Sequence, residues 1–277
     1  MIRAGVMGWP VEHSRSPALH GFWLEHYHID GQYVLLSVPP ERLEAALRAL
    51  PADGFAGCNL TLPHKERALR LVDRADATAR RIGAVNTVVV AADGTLEGRN
   101  TDAFGFHENL VTTVPEWRAA TGPAVVLGAG GAARAVVASL LDQGATEIRL
   151  LNRHRERAEA LAAALGGSVT VLDWEERAAA LDGAALLVNA TSLGQAGQPP
   201  LALALDALPK GAVVNDIVYV PLETPLLAAA RARGNSVVDG LGMLLHQARP
   251  AFAAWFGTMP DVSPELRRRI MAGLAQR

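Results

Sequence analysis

A strand-like run, Ala124-Val125-Val126-Leu127, passes straight into Gly128-Ala129-Gly130-Gly131-Ala132-Ala133-Arg134 and then into a helical stretch. The spacing is G-x-G-x-x-A. In such a turn the first glycine makes a tight bend and the second lets backbone approach a pyrophosphate. The small third residue lets the helix pack closely on its strand. The helix N-terminus then faces the anion. A strand–helix turn of this kind also occurs with no ligand, but a strand directly before it and a helix directly after it favour a nucleotide.

The rest of the chain supplies a matching sheet. Six β-rich segments, at 124–127, 147–151, 169–172, 186–189, 212–215 and 236–238, alternate with helices or loops. This is the pattern of two mononucleotide-binding halves. The first hundred residues read as strands at 2–7, 33–38 and 57–60, with helices at 17–27, 41–50 and 64–72. A hairpin is expected at 86–91 and 95–99 around Asp93-Gly94, a dipeptide suited to a type I′ turn. Beyond Gly240 only two helical segments remain, 241–256 and 264–275. Helices alone would make no core there, so they are expected to return to the first domain. The expected fold class is therefore α/β with two domains. Residues 1–103 and 240–277 form an N-terminal α/β substrate domain with a mostly parallel sheet, and an inserted Rossmann domain occupies 104–239.

The tip of the second Rossmann strand selects the nucleotide. Folds specific for NAD place Asp or Glu there, to accept from the ribose 2′-hydroxyl. Here the tip reads Asn152-Arg153-His154-Arg155-Glu156-Arg157, with three arginines crowding the start of a helix. Guanidinium groups suit a 2′-phosphate through paired charge-assisted hydrogen bonds, whereas cations at a helix N-terminus are otherwise unfavourable. The cofactor expected is NADP rather than NAD.

Composition excludes several other classes. Half the residues are hydrophobic, so the chain is neither disordered nor fibrous. With 26 basic against 28 acidic residues, nothing suggests a nucleic-acid partner. The single Cys58 forms no intrachain disulfide. Trp9-Pro10 cuts short any secretory core, and Gly128, Gly130, Gly131 and Arg134 interrupt the most apolar region, so neither a signal peptide nor a membrane span is expected. A cytoplasmic enzyme, monomer or homodimer, acting on a small molecule is the expectation. No H-E-x-x-H or Cys/His set suggests a metal, and no G-x-S-x-G elbow suggests a nucleophilic serine. Phe252, Trp255 and Phe256 read as core, and His13 and His64 as residues that shape a site.

Polar clusters interrupt the apolar first domain. Ser14 and Ser16 precede Pro17 at the start of a helix; capping accounts for one serine more readily than for two. Asn59, Thr61 and Lys65 follow the end of a strand, where ligands bind in open α/β sheets. Asn86-Thr87 and Asn100-Thr101-Asp102 flank the hairpin. Only Lys65 and Lys210 are lysines among the 26 basic residues. Lysine can exchange a proton if partly buried, whereas arginine stays protonated.

Nine strings in order carry a resemblance to the shikimate dehydrogenase family: HSRSP, NLTLPHK, GAVNT, GRNTD, GAGGAAR, NRHRER, NATS, NDIVY and DGLGML. The resemblance spans nearly the whole chain. It implies reversible NADPH-dependent reduction of 3-dehydroshikimate to shikimate, on the route to chorismate and the aromatic amino acids. By resemblance, Lys65 and Asp102 are the catalytic pair and Ser14 and Ser16 hold the substrate carboxylate. Thr61, Asn86, Asp102, Tyr219 and Gln247 contact the substrate as well. Gly128, Ala129, Gly130, Gly131 and Ala132 would receive the pyrophosphate, and Asn152, Arg153, His154 and Arg157 the 2′-phosphate side. Ile217 and Gly240 would sit by the nicotinamide. His154, Ile217 and Ala77 depart from the residues common in the family at those positions. An NAD-dependent quinate/shikimate dehydrogenase, or a non-catalytic NADP(H)-binding protein of the same fold, are the alternatives.

Overall fold

The computed structural model describes residues 1–274, so Ala275, expected to end the last helix, lies outside the described residues. The chain divides into two compact units, Met1–Thr101 together with the chain from Gln247 onward, and Asp102–His246.

The first unit opens with β1 (Ile2–Gly8), α1 (Ser16–His26), β2 (Gly31–Ser37) and α2 (Leu43–Ala49). It continues with β3 (Phe55–Leu60), α3 (Lys65–Ala68), β4 (Arg74–Ala75), α4 (Ala77–Ile82), β5 (Thr87–Val90) and β6 (Leu96–Arg99). The sheet order is β2-β1-β3-β5-β6-β4. Three of the five pairings are parallel, and those of β5 with β3 and β6 are antiparallel. Alternation along β3 sends Cys58 and Leu60 into a core with Met7, Leu43, Leu47 and Val88. Asn59 points to the opposite face, where it meets Tyr33 of β2.

Two local expectations are corrected. The helix expected at 64–72 ends at Ala68. The Lys65 carbonyl accepts the Val85 N–H at 2.9 Å, and Arg70 and Leu71 make i→i−3 bonds in place of α-helical ones. The hairpin is present, but its turn is not type I′. That type needs positive φ at both central residues, and of Asp93 and Gly94 only Gly94 has it, at +80°. Gly94 N–H closes on Ala91 O, while the Asp93 carboxylate accepts from the backbone and hydroxyl of Thr95.

The second unit opens with α5 (Asp102–Thr113), a helix not anticipated from the sequence, followed by β7 (Ala124–Leu127), α6 (Gly131–Asp142), β8 (Ile148–Leu151) and α7 (Arg155–Leu165). Then come β9 (Val169–Leu172), β10 (Leu186–Asn189), β11 (Val213–Asp216), α8 (Pro225–Ala232) and β12 (Ser236–Val238). The order β12-β11-β10-β7-β8-β9 is wholly parallel, the doubly wound arrangement in which strand order reverses beside β7. Every residue of β7, β10 and β11 is buried, as in a sheet covered on both faces.

The division between the units falls within α9 (Gly240–Phe256), and α10 (Pro264–Leu274) follows. Phe252 and Trp255 of α9 are core residues, as expected. Phe252 packs at 5.3 Å from Trp23 of α1, and the Trp255 indole donates to Val88 O at 3.0 Å. Gly57 makes that approach possible: a Cβ there would overlap Val88 O and the Trp255 Nε1.

Candidate active site

In the first unit a hydrogen-bonded cluster gathers most of the polar residues singled out above. Asn86 Nδ2 donates to Thr101 Oγ1 at 3.0 Å, and Asn86 Oδ1 accepts the Thr101 N–H at 2.9 Å. Asn59 Nδ2 donates to Asn86 O and Thr87 Oγ1, each at 3.1 Å. The Tyr33 hydroxyl donates to Asn59 Oδ1 at 2.7 Å, with the Ser16 side chain as a second partner. Leu60 N–H donates to Asn86 O, Thr61 N–H to Met7 O, and Val85 N–H to Lys65 O. The carboxyl ends of β1 and β3 are thereby tied to the start of β5. Ser14, Ser16, Thr61 and Lys65 stand there half-buried, and Asn86 is buried.

The serines are not helix caps. Arg15 occupies the N-cap of α1 with no side-chain cap bond, and Ser14 Oγ accepts the Ser16 N–H at 3.3 Å. The Ser16 side chain instead partners Tyr33.

His64 is buried, and its Nε2–H donates to Val38 O at 2.8 Å. Burial holds its pKa below the ordinary imidazole value; the bond to Val38 opposes that and Arg67 adds to it. His20 and Tyr33 went unnoticed in the sequence. Their rings stack at 4.0 Å, and burial pushes the imidazole down to about 3, so it is neutral. The available signal was a tyrosine on a core strand, whose hydroxyl needs a partner once buried.

In the second unit Gly128 has φ +115°, and a Cβ there would come within 2.7 Å of Ala190 O. Gly130 and Gly131 face open space, and Gly130, the N-cap of α6, supplies no side-chain cap. Its first N–H groups are therefore open to an anion. Ala133, the small third position of the motif, is fully buried. Ala129 and Ala132 are half-buried beside this cradle.

At the tip of β8, Asn152 Nδ2 donates to His154 O at 2.9 Å. His154 lies 3.7 Å from Glu156. Arg155 is occupied by carboxylates, with Glu159 at 2.8 Å and Asp173 at 2.6 Å. Arg153 and Arg157 are exposed and make no salt bridge among the described residues. Of the three arginines, these two are the ones not held by a carboxylate. The cradle and the two guanidiniums fit NADP.

Asp102 is buried as the first residue of α5. Tyr219 and Ile217 are half-buried just past β11, and Gly240 is buried at the start of α9, where a Cβ would overlap the Ile217 carbonyl. Gln247 is half-buried within α9. Among the described residues no group of His, Cys, Asp and Glu has the makings of a metal site.

A phosphate-cradling glycine turn in a doubly wound sheet, with a polar cluster at the strand ends of a separate α/β unit, defines the class of nicotinamide-dependent oxidoreductases. Comparison with known proteins makes this particular. Family models match residues 6–88 (shikimate dehydrogenase substrate binding domain), 112–196 (shikimate/quinate 5-dehydrogenase) and 240–264 (shikimate 5′-dehydrogenase C-terminal domain). A shikimate dehydrogenase (NADP(+)) of Paramagnetospirillum magneticum is 66% identical over 269 residues, covering 97% of this chain and 98% of the relative. The Thermus thermophilus shikimate 5-dehydrogenase, solved with NADP(H) and shikimate, superposes with a TM-score of 0.87 at 40% identity, covering 99% of this chain and 100% of that one. A Corynebacterium glutamicum quinate dehydrogenase, solved with NAD, superposes at 0.90 with 33% identity, covering 98% and 99%. The chain belongs to the shikimate dehydrogenase family.

Proposed function

We propose that this protein reduces 3-dehydroshikimate to shikimate reversibly, using NADPH, as a step of aromatic amino-acid biosynthesis. The observation that supports the proposal is the hydrogen-bonded cluster tying the ends of β1 and β3 to the start of β5, the stretches that carry Ser14, Ser16, Thr61, Lys65 and Asn86. The high identity to a relative named for this reaction supports it.

In this reading the Ser14 and Ser16 hydroxyls bind the substrate carboxylate, and Thr61, Asn86, Tyr219 and Gln247 orient the rest of the ring. NADPH, when bound, supplies the hydride. The protein must then deliver a proton to the oxygen that gains negative charge, and Lys65 together with Asp102 polarises that oxygen and exchanges its proton. Gly128, Ala129, Gly130, Gly131 and Ala132 would hold the pyrophosphate. Asn152, Arg153, His154 and Arg157 would surround the 2′-phosphate, and Ile217 and Gly240 would flank the nicotinamide. Residues 1–103 with 240–277 serve as the substrate domain and 104–239 as the NADP domain, in a cytoplasmic monomer or homodimer.

The test is an absorbance assay at the nicotinamide band with each pairing of shikimate or quinate and NADP or NAD. Fastest turnover is expected with shikimate and NADP. Equal or faster turnover with quinate and NAD would replace this reading with the one suggested by the quinate dehydrogenase structure. No turnover with any pair would leave a binding protein.

A further inference from the structure

The geometry points to Asp216 as a positioning residue, whose carboxylate holds Ile217, Val218 and Tyr219 in place where the chain leaves β11. The inference rests on the proposed placement of Ile217 by the nicotinamide and of Tyr219 on the substrate.

Asp216 is fully buried. Its Oδ1 accepts the Val218 N–H and the Asn189 side-chain amide, each at 3.0 Å, and its Oδ2 accepts the Thr224 hydroxyl at 2.7 Å. Each donor belongs to a different piece of the fold. Val218 lies in the segment itself, Asn189 ends β10, and Thr224 caps α8 by accepting the Leu227 N–H. Asn189 spreads the constraint further: its Oδ1 accepts the Thr191 N–H and hydroxyl, its amide reaches Leu193 O, and its carbonyl accepts the Ile217 N–H. From the other side Gly240 presses on the Ile217 carbonyl so closely that no side chain fits between them. The segment is thus clamped by one carboxylate in front of the ends of two strands.

The clamp comes at a cost. No salt bridge of Asp216 is found among the described residues, and burial raises its pKa to about 6 against the three hydrogen bonds that lower it. An apolar residue would be the cheaper way to fill a buried strand end. A carboxylate there is accounted for by the acceptors it provides. A displacement near 1 Å in groups that orient reactants can cost about a hundredfold in rate, so such acceptors bear directly on turnover.

The test compares Asp216→Ala and Asp216→Asn in the full chain by steady-state kinetics and amide hydrogen exchange. Asp216→Ala is expected to lower kcat by about 10–100-fold while KM for NADP stays within about threefold, because the segment that the carboxylate holds carries neither the pyrophosphate glycines nor the arginines. Exchange should quicken at residues 217–219. Asp216→Asn keeps the Oδ1 acceptor and should retain kcat within about threefold, with exchange like that of the unaltered protein. A folded Asp216→Ala protein with kcat within twofold overturns the inference, as does an Asp216→Asn protein as impaired as the alanine variant. Should Asp216→Ala fail to fold, Thr224→Val against Thr224→Ser decides: loss with valine and rescue by serine support the clamp, and equal kcat refutes it. Tyr219→Phe separates this inference from the reading beneath it. If Tyr219→Phe lowers turnover and Asp216→Ala does not, the clamp alone is wrong; if neither variant does, the placement of the segment is wrong too.

Discussion

Lys65 stands on the first residue of α3, and its carbonyl is held by Val85 in the segment that also carries Asn86. The backbone bond fixes where the side chain starts, and a flexible four-carbon stem carries the ammonium group. Lys65→Ala should lower turnover by about 10²–10⁴, or about 3–5 kcal/mol in the barrier. Lys65→Arg should not restore it, because a guanidinium keeps its proton; stopped-flow reduction of NADP by shikimate would show both. Asp216 offers a test of a different kind. Its pKa is raised from 3.8 to about 6, so the fold prefers the protonated carboxyl. The stability this confers is complete below 3.8 and is lost as pH rises through 6, on the order of 3 kcal/mol for a shift of that size. Asp216→Asn, which cannot ionise, should therefore melt above the unaltered protein at pH 8 and no higher at pH 4. A melting difference that does not change with pH would mean the carboxyl titrates normally.

At the scale of single elements, the glycine turn was the most legible part of the chain. β7 and β10 occupy the positions their apolar runs marked, because a strand buried on both faces announces itself without help from neighbours; the partly buried edge strands β9 and β12 also stand where their runs marked them. Elements fixed by distant partners were harder to read. The two residues of β4 form a strand only by pairing with β6, and α3 stops early because Val85 takes its first carbonyl. The candidate site divides in the same way. Ser14, Thr61, Lys65 and Asn86 stand within motifs, whereas His20, Tyr33 and Thr224 act through contacts between separate elements that spacing does not reveal. The same contrast separates the arginines at the tip of β8, since the sequence could not tell which of them is taken by Glu159 and Asp173. Replacing Arg153 and Arg157 together by alanine should raise KM for NADP by tenfold or more and leave that for NAD nearly unchanged, whereas Arg155→Ala should affect the two alike. Equal effects of the double substitution on both nucleotides would remove the 2′-phosphate assignment. Gly128→Ala should weaken NADP binding and lower the melting temperature together, because the added carbon meets the Ala190 carbonyl at 2.7 Å; isothermal titration and a thermal melt test it.

At the scale of the whole molecule, the two units bring separate binding chemistries, so each ligand alone should leave its own imprint. Hydrogen exchange with shikimate alone is expected to slow around residues 14–16, 59–65 and 86–101. NADP alone should slow it around 128–134 and 152–157. The reverse pattern would exchange the roles assigned to the units. Among the described residues no helix is long and apolar enough to cross a membrane. The indole of Trp255 closing over Val88, 167 positions earlier in the chain, has a consequence for how the protein is made. The second unit is one uninterrupted stretch and can complete its sheet as it emerges from the ribosome. The first unit has all its strands by Arg99, yet must wait for Phe252 and Trp255 before its aromatic core is covered. At about 5–20 residues per second that wait is roughly 8–30 s. For that interval a nascent chain carries a sheet face without its Phe252 and Trp255 cover, so the unit begun first is expected to be the one completed last.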